Sequence, residues 1–341
     1  MIKNTTNKLK DAQDIAQINQ VGMWEELKNE EIKKKTKAYD PTKKNFEGRV
    51  VDIHSGDSLT VQPEGGEPRR LFLASIKAPA IARNERSDHE PWAWESKEYV
   101  RRQAIGKKVK VEMEFQREIE VKKGEFTGTK RIMEFATIFI GKKNLSVSIL
   151  EKGFAKTSLS KFREDNSKYF EDLIAGDTYA SNKKIGVYSS KEAKIYRFID
   201  TSKNSKASKT IYSSLSSKPI MFGVIEYCFS GQKFKIRIDD ENCSISFGMI
   251  GIKIPQPDMN QPGITEVSAQ AKEYAKNILH QRDVALNVKY MDKRGTFLGN
   301  LWMLSGPKKK GDHFAKNILR KGYGNIQENN AEKLGIFLIL T

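Results

Sequence analysis

The chain has 341 residues, a hydrophobic fraction of 38% and a formal net charge of +17 at pH 7. This length indicates two or three domains, and the excess of Lys and Arg favours a polyanionic partner, nucleic acid before an acidic membrane surface. The composition argues against a membrane span, because no apolar run reaches ~18 residues, and the two cysteines, Cys228 and Cys243, cannot build a disulfide framework or a cysteine-rich metal site.

The opening segment, residues 1–25, predicts a helix followed by a glycine at its end. The apolar residues of one helical face are Leu9, Ala12, Ile15 and Ala16. Gly22 stands where a helix commonly ends, and the whole pattern recurs at the same spacing in residues 173–188. Because that later segment is the last helix of a full repeat, we predict that residues 1–25 are the C-terminal helix of an upstream repeat.

The first full repeat, residues 45–195, predicts a small barrel. Its expected strands are 49–54, 58–62, 70–76, 108–115 and 134–140, and its expected helices are 95–105, 145–152 and 169–182. Strand 108–115 is the clearest, because apolar residues alternate with Lys and Glu along it. Five short strands with helices inserted late predict an α+β domain, a five-stranded Greek-key barrel of the OB type.

A second copy of this domain follows about 175 residues later, so the barrels are in tandem. Residues 48–56 return as 223–231, 76–79 as 252–255, 97–99 as 272–274 and 149–155 as 318–324. We predict that residues 219–341 form this second barrel, truncated at its last helix. The Ser and Lys content of residues 196–218 predicts a linker between the two domains.

Several ordered motifs resemble one family. HEPWAWESKEYVRRQAIGKKV, residues 89–109, is similar to the segment that leads into the first helix in the staphylococcal-nuclease-like repeats of the Tudor staphylococcal nuclease proteins. EYCFSG at 226–231, GIKIP at 251–255 and QRDV at 281–284 resemble the fourth of those repeats. The resemblance implies that the full copies are the third and fourth repeats and that the opening helix is the tail of the second.

The resemblance also implies where a nuclease site would lie. Active members of the family bind calcium through carboxylates and neutralise phosphate with two arginines. The corresponding positions are Asp57, Phe72, Lys77, Ala80 and Met133 in the first copy, and Gln232, Gly248, Lys253, Gln256 and Thr296 in the second. A lysine brings positive charge to a cation site, so we expect no catalysis, no metal and no cofactor, with Asp57 a vestige that serves its turn.

Binding is the remaining expectation, because clusters of cations recur at similar places in the two copies. These candidates are Arg101, Arg102, Lys107, Lys108, Lys110, Lys122, Lys123, Lys130, Arg131, Lys293, Arg294, Lys308, Lys309 and Lys310. Four of them, Lys122, Lys123, Lys130 and Arg131, are expected in or beside a long loop that follows strand 108–115. Such a surface would contact phosphates, which confers affinity and salt dependence with little sequence preference.

The prediction is therefore an RNA-binding scaffold of degenerate nuclease-like barrels for structured or double-stranded RNA, with no role at a membrane. The resemblance implies protein partners in the RNA-induced silencing complex and in transcriptional coactivation, and a place in both cytoplasm and nucleus. Two alternatives stay open. One is a weak calcium-dependent endoribonuclease around Asp57 that acts on edited double-stranded RNA, the only case with a calcium cofactor; the other is a protein–protein adaptor whose charge serves solubility.

Overall fold

The chain was analysed as a computed structural model, and it forms two compact units. The structure describes residues 12–17, 19, 21–24, 45–82, 89–123, 126–159, 166–194, 196–202, 204–257 and 262–327, with only the backbone for 24, 119–131 and 262. One unit is Lys33–Tyr196, and the other joins Met1–Ile32 to Arg197–Thr341. Among the described helices, none has the length and apolar character needed to cross a membrane.

The first unit contains a closed barrel of the predicted kind. Its strands are β1 (Asn45–Ser55), β2 (Ser58–Pro63), β3 (Arg69–Leu73), β4 (Ile76–Lys77), β5 (Lys108–Lys123), β6 (Phe126–Ile140), β7 (Lys143–Asn144) and β8 (Lys156–Thr157). The sheet order is β3-β2-β1-β5-β6-β7, and parallel pairing of β3 with β6 closes the five-stranded barrel. The α+β fold class of tandem OB-type barrels is thus confirmed.

The helices of this unit are α2 (Ala93–Ala104), α3 (Leu145–Glu151) and α4 (Phe170–Lys183). They cover a core made of inward-facing strand residues, among them Leu59, Leu71 and Ile138, each fully buried. The predicted strand 70–76 is interrupted after Leu73, because Ser75 adopts a left-handed conformation with φ of 56° before β4 begins. The predicted strands 108–115 and 134–140 extend into one long hairpin, where we had expected a loop.

The second unit repeats this barrel. Its elements are β9 (Ile199–Asp200), α5 (Ser205–Ser216), β10 (Met221–Cys228), β11 (Lys233–Ile238), β12 (Cys243–Met249), β13 (Ile252–Lys253), α6 (Pro262–Leu279), β14 (Asp283–Met291), β15 (Phe297–Gly306), β16 (Lys309–His313), α7 (Phe314–Arg320) and β17 (Asn325–Ile326). The sheet order is β16-β15-β14-β10-β11-β12-β9, and β12 closes the barrel by pairing in parallel with β15.

A buried polar contact fixes the start of α7 in this unit. The ring of His313 accepts a hydrogen bond at Nδ1 from the Ala315 amide, 3.2 Å away, and Nε2 lies 3.1 Å from Asn300 Oδ1. Burial lowers the pKa of His313 to about 3, so the ring is neutral and Nε2 carries the proton that it donates to Asn300. Asn144 caps α3 at the matching place in the first unit.

Most of the expected linker, residues 196–218, belongs to the unit of the second barrel, which starts at Arg197. Residues 199–200 add the edge strand β9 to β12, and Asn204 caps α5 by accepting hydrogen bonds from the Lys206 and Ala207 amides. Leu215 of α5 is fully buried in the core. The linker prediction was wrong here because Ser and Lys dominate only the outer face of a short amphipathic helix.

The opening segment packs on the second barrel. Its helix α1 covers residues 12–17, with Ala12 and Ala16 buried and Ile15 half exposed, so Ile15 lies off the buried face; Leu9 lies outside the described residues. Gln13 Oε1 accepts a hydrogen bond from the Ile326 amide at 3.0 Å. These contacts place α1 within the unit that the second barrel forms.

Two glycines in close contact, Gly22 and Gly322, hold this segment. Gly186 and Gly153 form the same pair in the first unit. The Met23 amide donates to Gly322 O at 2.8 Å, as the Val187 amide donates to Gly153 O at 2.8 Å after α4. A Cβ on Gly322 would lie 1.8 Å from Val21 O. The described residues between 12 and 24 thus occupy the place on the second barrel that α4 and its exit occupy on the first. Their origin in an upstream repeat stays a prediction.

We expect Gly322→Ala to release the opening segment and lower the stability of the second unit. The change combines φ of +67° with a clash against backbone, so the loss should exceed the ~1–2 kcal/mol of a left-handed residue alone. Urea unfolding measures it. Gly141→Ala is the control, because Gly141 has φ of +62° and nothing within 4 Å of the added Cβ. Equal losses for the two variants would contradict the docking.

Candidate nucleic-acid interface

The turn between β1 and β2 is pressed against helix α2. A Cβ on Gly56 would lie 1.7 Å from Ser96 Oγ and 2.9 Å from Ala78 Cβ, so this position accepts no side chain. The turn between β10 and β11 repeats the contact, where a Cβ on Gly231 would lie 3.0 Å from Ala271 Cβ of α6. The residue after each glycine is therefore held in one place.

Asp57 follows the first of these glycines, and its carboxylate is engaged within the turn. Oδ1 accepts a hydrogen bond from Ser55 Oγ at 2.6 Å, and Oδ2 accepts one from the Ala78 amide at 2.9 Å. The Asp57 carbonyl also accepts from the Leu73 amide at 2.8 Å. The side chain thereby ties the turn to the chain that follows β4.

Gln232 makes the same two connections without a charge. Its Oε1 accepts a hydrogen bond from the Ile254 amide at 2.7 Å, and its carbonyl accepts from the Met249 amide at 2.9 Å. The position therefore requires an acceptor oxygen to hold the turn, and a carboxylate or an amide supplies it equally well.

The groups at these positions do not fit a calcium ion. Calcium takes six to eight oxygen ligands, whereas both Asp57 oxygens accept protein hydrogen bonds and the next expected ligand position carries the exposed ammonium of Lys77. Ala80 offers no side-chain oxygen, and its amide donates to Glu90 Oε2 at 2.7 Å. Within the part of the chain that the structure describes, no three His, Cys, Asp or Glu side chains are grouped as a metal site would need.

Phenylalanine rings occupy the face where the family would place an arginine. Phe72 lies half buried on the outer side of β3, with its ring centroid 5.7 Å from that of Phe135. Arg70 is on the same side, as strand alternation allows, but its Cζ lies 5.3 Å from the Phe72 centroid and its Nε donates to Ser58 Oγ. In the second unit, Gly248 and Thr296 at the arginine positions are both buried.

The predicted cations of the first unit divide into exposed and buried ones. Arg102, Lys107, Lys108 and Lys110 are exposed. Three of them have acidic neighbours: Lys108 Nζ lies 2.6 Å from Glu47, Lys110 Nζ 2.8 Å from Glu112, and Arg102 Nε 2.9 Å from Glu98. Ion pairs with exposed lysines or arginines contribute little, so a phosphate can replace the carboxylate as partner.

Arg101 does not lie where the sequence placed it. Its side chain is 3% exposed, and its guanidinium donates twice to Glu98, at 2.7 and 2.8 Å. The residue faces the core side of α2, beside Val100 and Ala104, which are also buried. Its guanidinium is therefore not part of the exposed surface, and the adjacent Arg102 is.

The remaining first-unit candidates lie on the long hairpin of β5 and β6. Lys122 and Lys123 are on β5, and Lys130 and Arg131 are on β6, in paired strands rather than in the expected loop. The side chains of these four residues lie outside the described part of the structure. Their exposure and partners stay predictions.

The second-unit candidates lie in or directly beside two tight turns. Asp292 Oδ1 accepts from the amides of Arg294 and Thr296, and this turn presents Lys293 and Arg294 to solvent. Lys308 lies in the turn between β15 and β16, Lys309 and Lys310 begin β16, and all three are exposed. Lys310 Nζ lies 4.7 Å from the Trp302 ring centroid, which orients its ammonium group.

One cation of the first unit that the sequence did not indicate, Lys168, lies next to Lys110. Lys168 Nζ lies 2.6 Å from Glu112 Oε2, so Glu112 bridges Lys168 and Lys110, and it also accepts from Tyr169 OH at 2.8 Å. Hydrogen bonds from the two lysines hold the pKa of Glu112 at about 2. No local pattern could have indicated Lys168, because its partner Glu112 is far away in the sequence. The neighbouring residue Tyr169 is 57 residues from Glu112.

We expect Asp57→Ala to cost about 1–2 kcal/mol of folding stability and Asp57→Asn to cost much less, because Asn keeps an oxygen for the Ala78 amide. Gln232→Ala should behave like Asp57→Ala in its own unit. Urea unfolding at neutral pH is the measurement. The structural role would be wrong if Asn and Ala at position 57 were equally destabilising.

We expect Glu112→Gln to lower stability at pH 7 by about 1 kcal/mol, a modest loss because both lysine partners are exposed. The depressed pKa means that the stabilisation is present above the unfolded value near 4.3 and is lost as the pH falls towards 2. The gap in thermal midpoint between variant and parent should therefore close over that range. Glu67→Gln, an exposed carboxylate in the same unit, is the control, and a gap that stays constant with pH would contradict the assignment.

Comparison with known proteins places these barrels in a family. The model of the family described as staphylococcal nuclease homologue matches residues 70–190 and 246–335. Ribonuclease TUDOR 2 of Arabidopsis thaliana is 30% identical over 308 residues, which cover 82% of this chain and 31% of that protein. Staphylococcal nuclease domain-containing protein 1 of Drosophila melanogaster is 25% identical over 338 residues, covering 90% of this chain and 35% of that protein.

The chain thus spans about a third of the length of these curated relatives. The family match covers most of both barrels, including the segments that donate to Asp57 and Gln232 at Ala78 and Ile254. This chain belongs to the staphylococcal nuclease homologue family, among the Tudor staphylococcal nuclease proteins.

Proposed function

We propose that this protein is a scaffold that binds structured or double-stranded RNA through exposed lysines and arginines on two nuclease-like barrels. At the first of the family's hydrolytic positions, the side chains of Asp57 and Gln232 hold the turn. The Arabidopsis and Drosophila relatives are nuclease-type proteins by name, which favours nucleic acid as the polyanion. The net charge of +17 acts in the same direction.

The observation that carries this proposal is the equivalence of Asp57 and Gln232. Both side chains accept a hydrogen bond from the equivalent amide beyond the turn, that of Ala78 or Ile254, so the carboxylate in the first barrel is accounted for without a metal. Lys77 and Lys253 are exposed at the next ligand position in the two barrels, where a positive charge opposes a cation and favours a phosphate.

The form of RNA follows from the kind of groups exposed. Ammonium groups on turns and strand faces contact phosphates, which gives affinity without sequence choice. An A-form duplex presents its backbone and shape to such a surface and hides its base edges in a deep groove. Within this proposal, action with silencing-complex and transcription proteins, in both cytoplasm and nucleus, rests on the family resemblance alone.

A weak calcium-dependent endoribonuclease is the second candidate. The word ribonuclease in the name of the Arabidopsis relative favours it. It requires Asp57 to leave its hydrogen bonds to Ser55 and Ala78 and to bind calcium. The third candidate, a protein–protein adaptor, predicts that RNA binding is absent or insensitive to salt.

We expect the chain to bind a 20-base-pair RNA duplex with an affinity that falls steeply between 50 and 200 mM salt. Changing Lys308, Lys309 and Lys310 together to Gln should weaken binding, and the log–log salt slope should become shallower by about 0.7–0.9 for each phosphate that is no longer neutralised. Fluorescence anisotropy measures both. The matched control changes three exposed lysines outside the predicted surface, Lys183, Lys184 and Lys191, to Gln.

Two results would contradict the scaffold. A flat salt response favours the adaptor. Calcium-dependent cleavage of the duplex that disappears in both Asp57→Ala and Asp57→Asn favours the nuclease, because Asn keeps the structural hydrogen bond and loses only the charge.

A further inference from the structure

Two aromatic rings lie side by side on the surface of the second barrel. Tyr227 at the end of β10 is 49% exposed, and Phe229 in the following turn is 42% exposed. Their ring centroids are 5.1 Å apart with an interplanar angle of 66°. Aromatic side chains bury large apolar areas when they can, so a contacting pair left in water needs an explanation.

A β-bulge directs both rings outwards. The pairing register of β10 with β11 shifts between Ile225, opposite Ile236, and Tyr227, opposite Lys235. Because of the extra residue, Ile225 and Cys228 both point into the core, and Tyr227 and Phe229 both point out.

The fold does not require aromatic residues at these positions. The first barrel has the same bulge, between Val50 and Asp52, with the same inward-facing neighbours. It carries Asp52 and His54 where the second barrel carries Tyr227 and Phe229. The aromatic pair is thus specific to one copy, and packing of the barrel does not account for it.

Lysines flank the pair. Lys233 Nζ lies 6.0 Å from the Phe229 centroid, and Lys272 Nζ on α6 lies 5.9 Å from the Tyr227 centroid. Lys276 is one helical turn further along α6 and is exposed. Two ring faces therefore lie within the field of ammonium groups that can contact a phosphate backbone.

The arrangement is held in place. The Phe229 amide donates to Lys233 O at 2.8 Å, which closes the hairpin, and Gly231 is pressed against Ala271, the residue before Lys272. The backbone that carries the rings and lysines is thus fixed before any ligand arrives, which lowers the entropic cost of binding.

We propose that Tyr227 and Phe229 form a stacking site for unpaired bases of RNA, with Lys233 and Lys272 contacting the adjacent phosphates. The inference rests on the proposed RNA-binding function and adds a form of RNA that the lysine surface does not distinguish. Bases in loops, bulges and single-stranded ends expose their faces to stack on aromatic rings, whereas those of an A-form duplex do not. The flanking positive charge favours a polyanion over a protein segment as the occupant.

The test uses the full chain and three labelled RNAs: a 12-nucleotide single strand, the same strand with abasic sites, and a 20-base-pair blunt duplex. The double variant Tyr227→Asn/Phe229→His carries a neutral counterpart of Asp52 and the first barrel's His54, residues compatible with the same bulge, and it places no negative charge beside Lys272. We expect it to bind the single strand about 5- to 100-fold more weakly, as for removal of a stacked base, with duplex and abasic strand unchanged. Tyr227→Phe should retain affinity, and Tyr179→Ala, an aromatic 52% exposed in the first unit, is the matched control.

The outcomes separate this inference from the function on which it rests. If the double variant binds the single strand as tightly as the parent does, the stacking site is overturned, and a protein becomes the expected occupant of the aromatic pair. Binding of the duplex in the same experiment still upholds the RNA scaffold. Equal weakening of the abasic strand also overturns it, because bases would then not be involved. A parent chain that binds none of the three RNAs overturns both. Quenching of 2-aminopurine in the single strand by the parent and by Tyr227→Phe, absent in the double variant, supports the site.

Discussion

The close approach of a glycine turn to a helix is the constraint on which both barrels depend. Gly56 against α2, and Gly231 against α6, leave no room for a Cβ. This contact positions the end of one strand, the start of the next and the residue after the glycine, which must supply an acceptor oxygen to hold the chain beyond the turn. The residues at the family's nuclease position thus have a structural task that is independent of chemistry.

That task explains how the same barrel can form with either a carboxylate or an amide at this position. Gln232 holds its turn as Asp57 does, so exchange of a carboxylate for an amide leaves the barrel intact while it removes a charge that calcium would need. The fold is maintained by packing and by backbone hydrogen bonds, and the activity depends on a few exposed side chains. A basic exterior is compatible with this exchange, since surface lysines contribute little to the stability of either barrel.

The two copies also show which positions the fold leaves free. Tyr227 and Phe229 follow the same bulge as Asp52 and His54, in the same barrel geometry. Differences at such positions report on what each copy contacts rather than on how it folds. The opening segment gives the complementary case. Gly22 makes with Gly322 of the second barrel the close backbone contact that Gly186 makes with Gly153 in the first, and neither contact has room for a side chain.

The sequence by itself determined the tandem duplication, the strands and the OB-type barrels, because hydrophobic alternation and turn glycines are local signals that recur in register. It also identified Asp57 as a turn residue. Only the tertiary structure decided that Arg101 faces the core, that residues 205–216 form a helix of the second barrel, and that Lys168 joins Glu112. Each of these depends on which distant segment lies opposite, and composition carries no information about that partner.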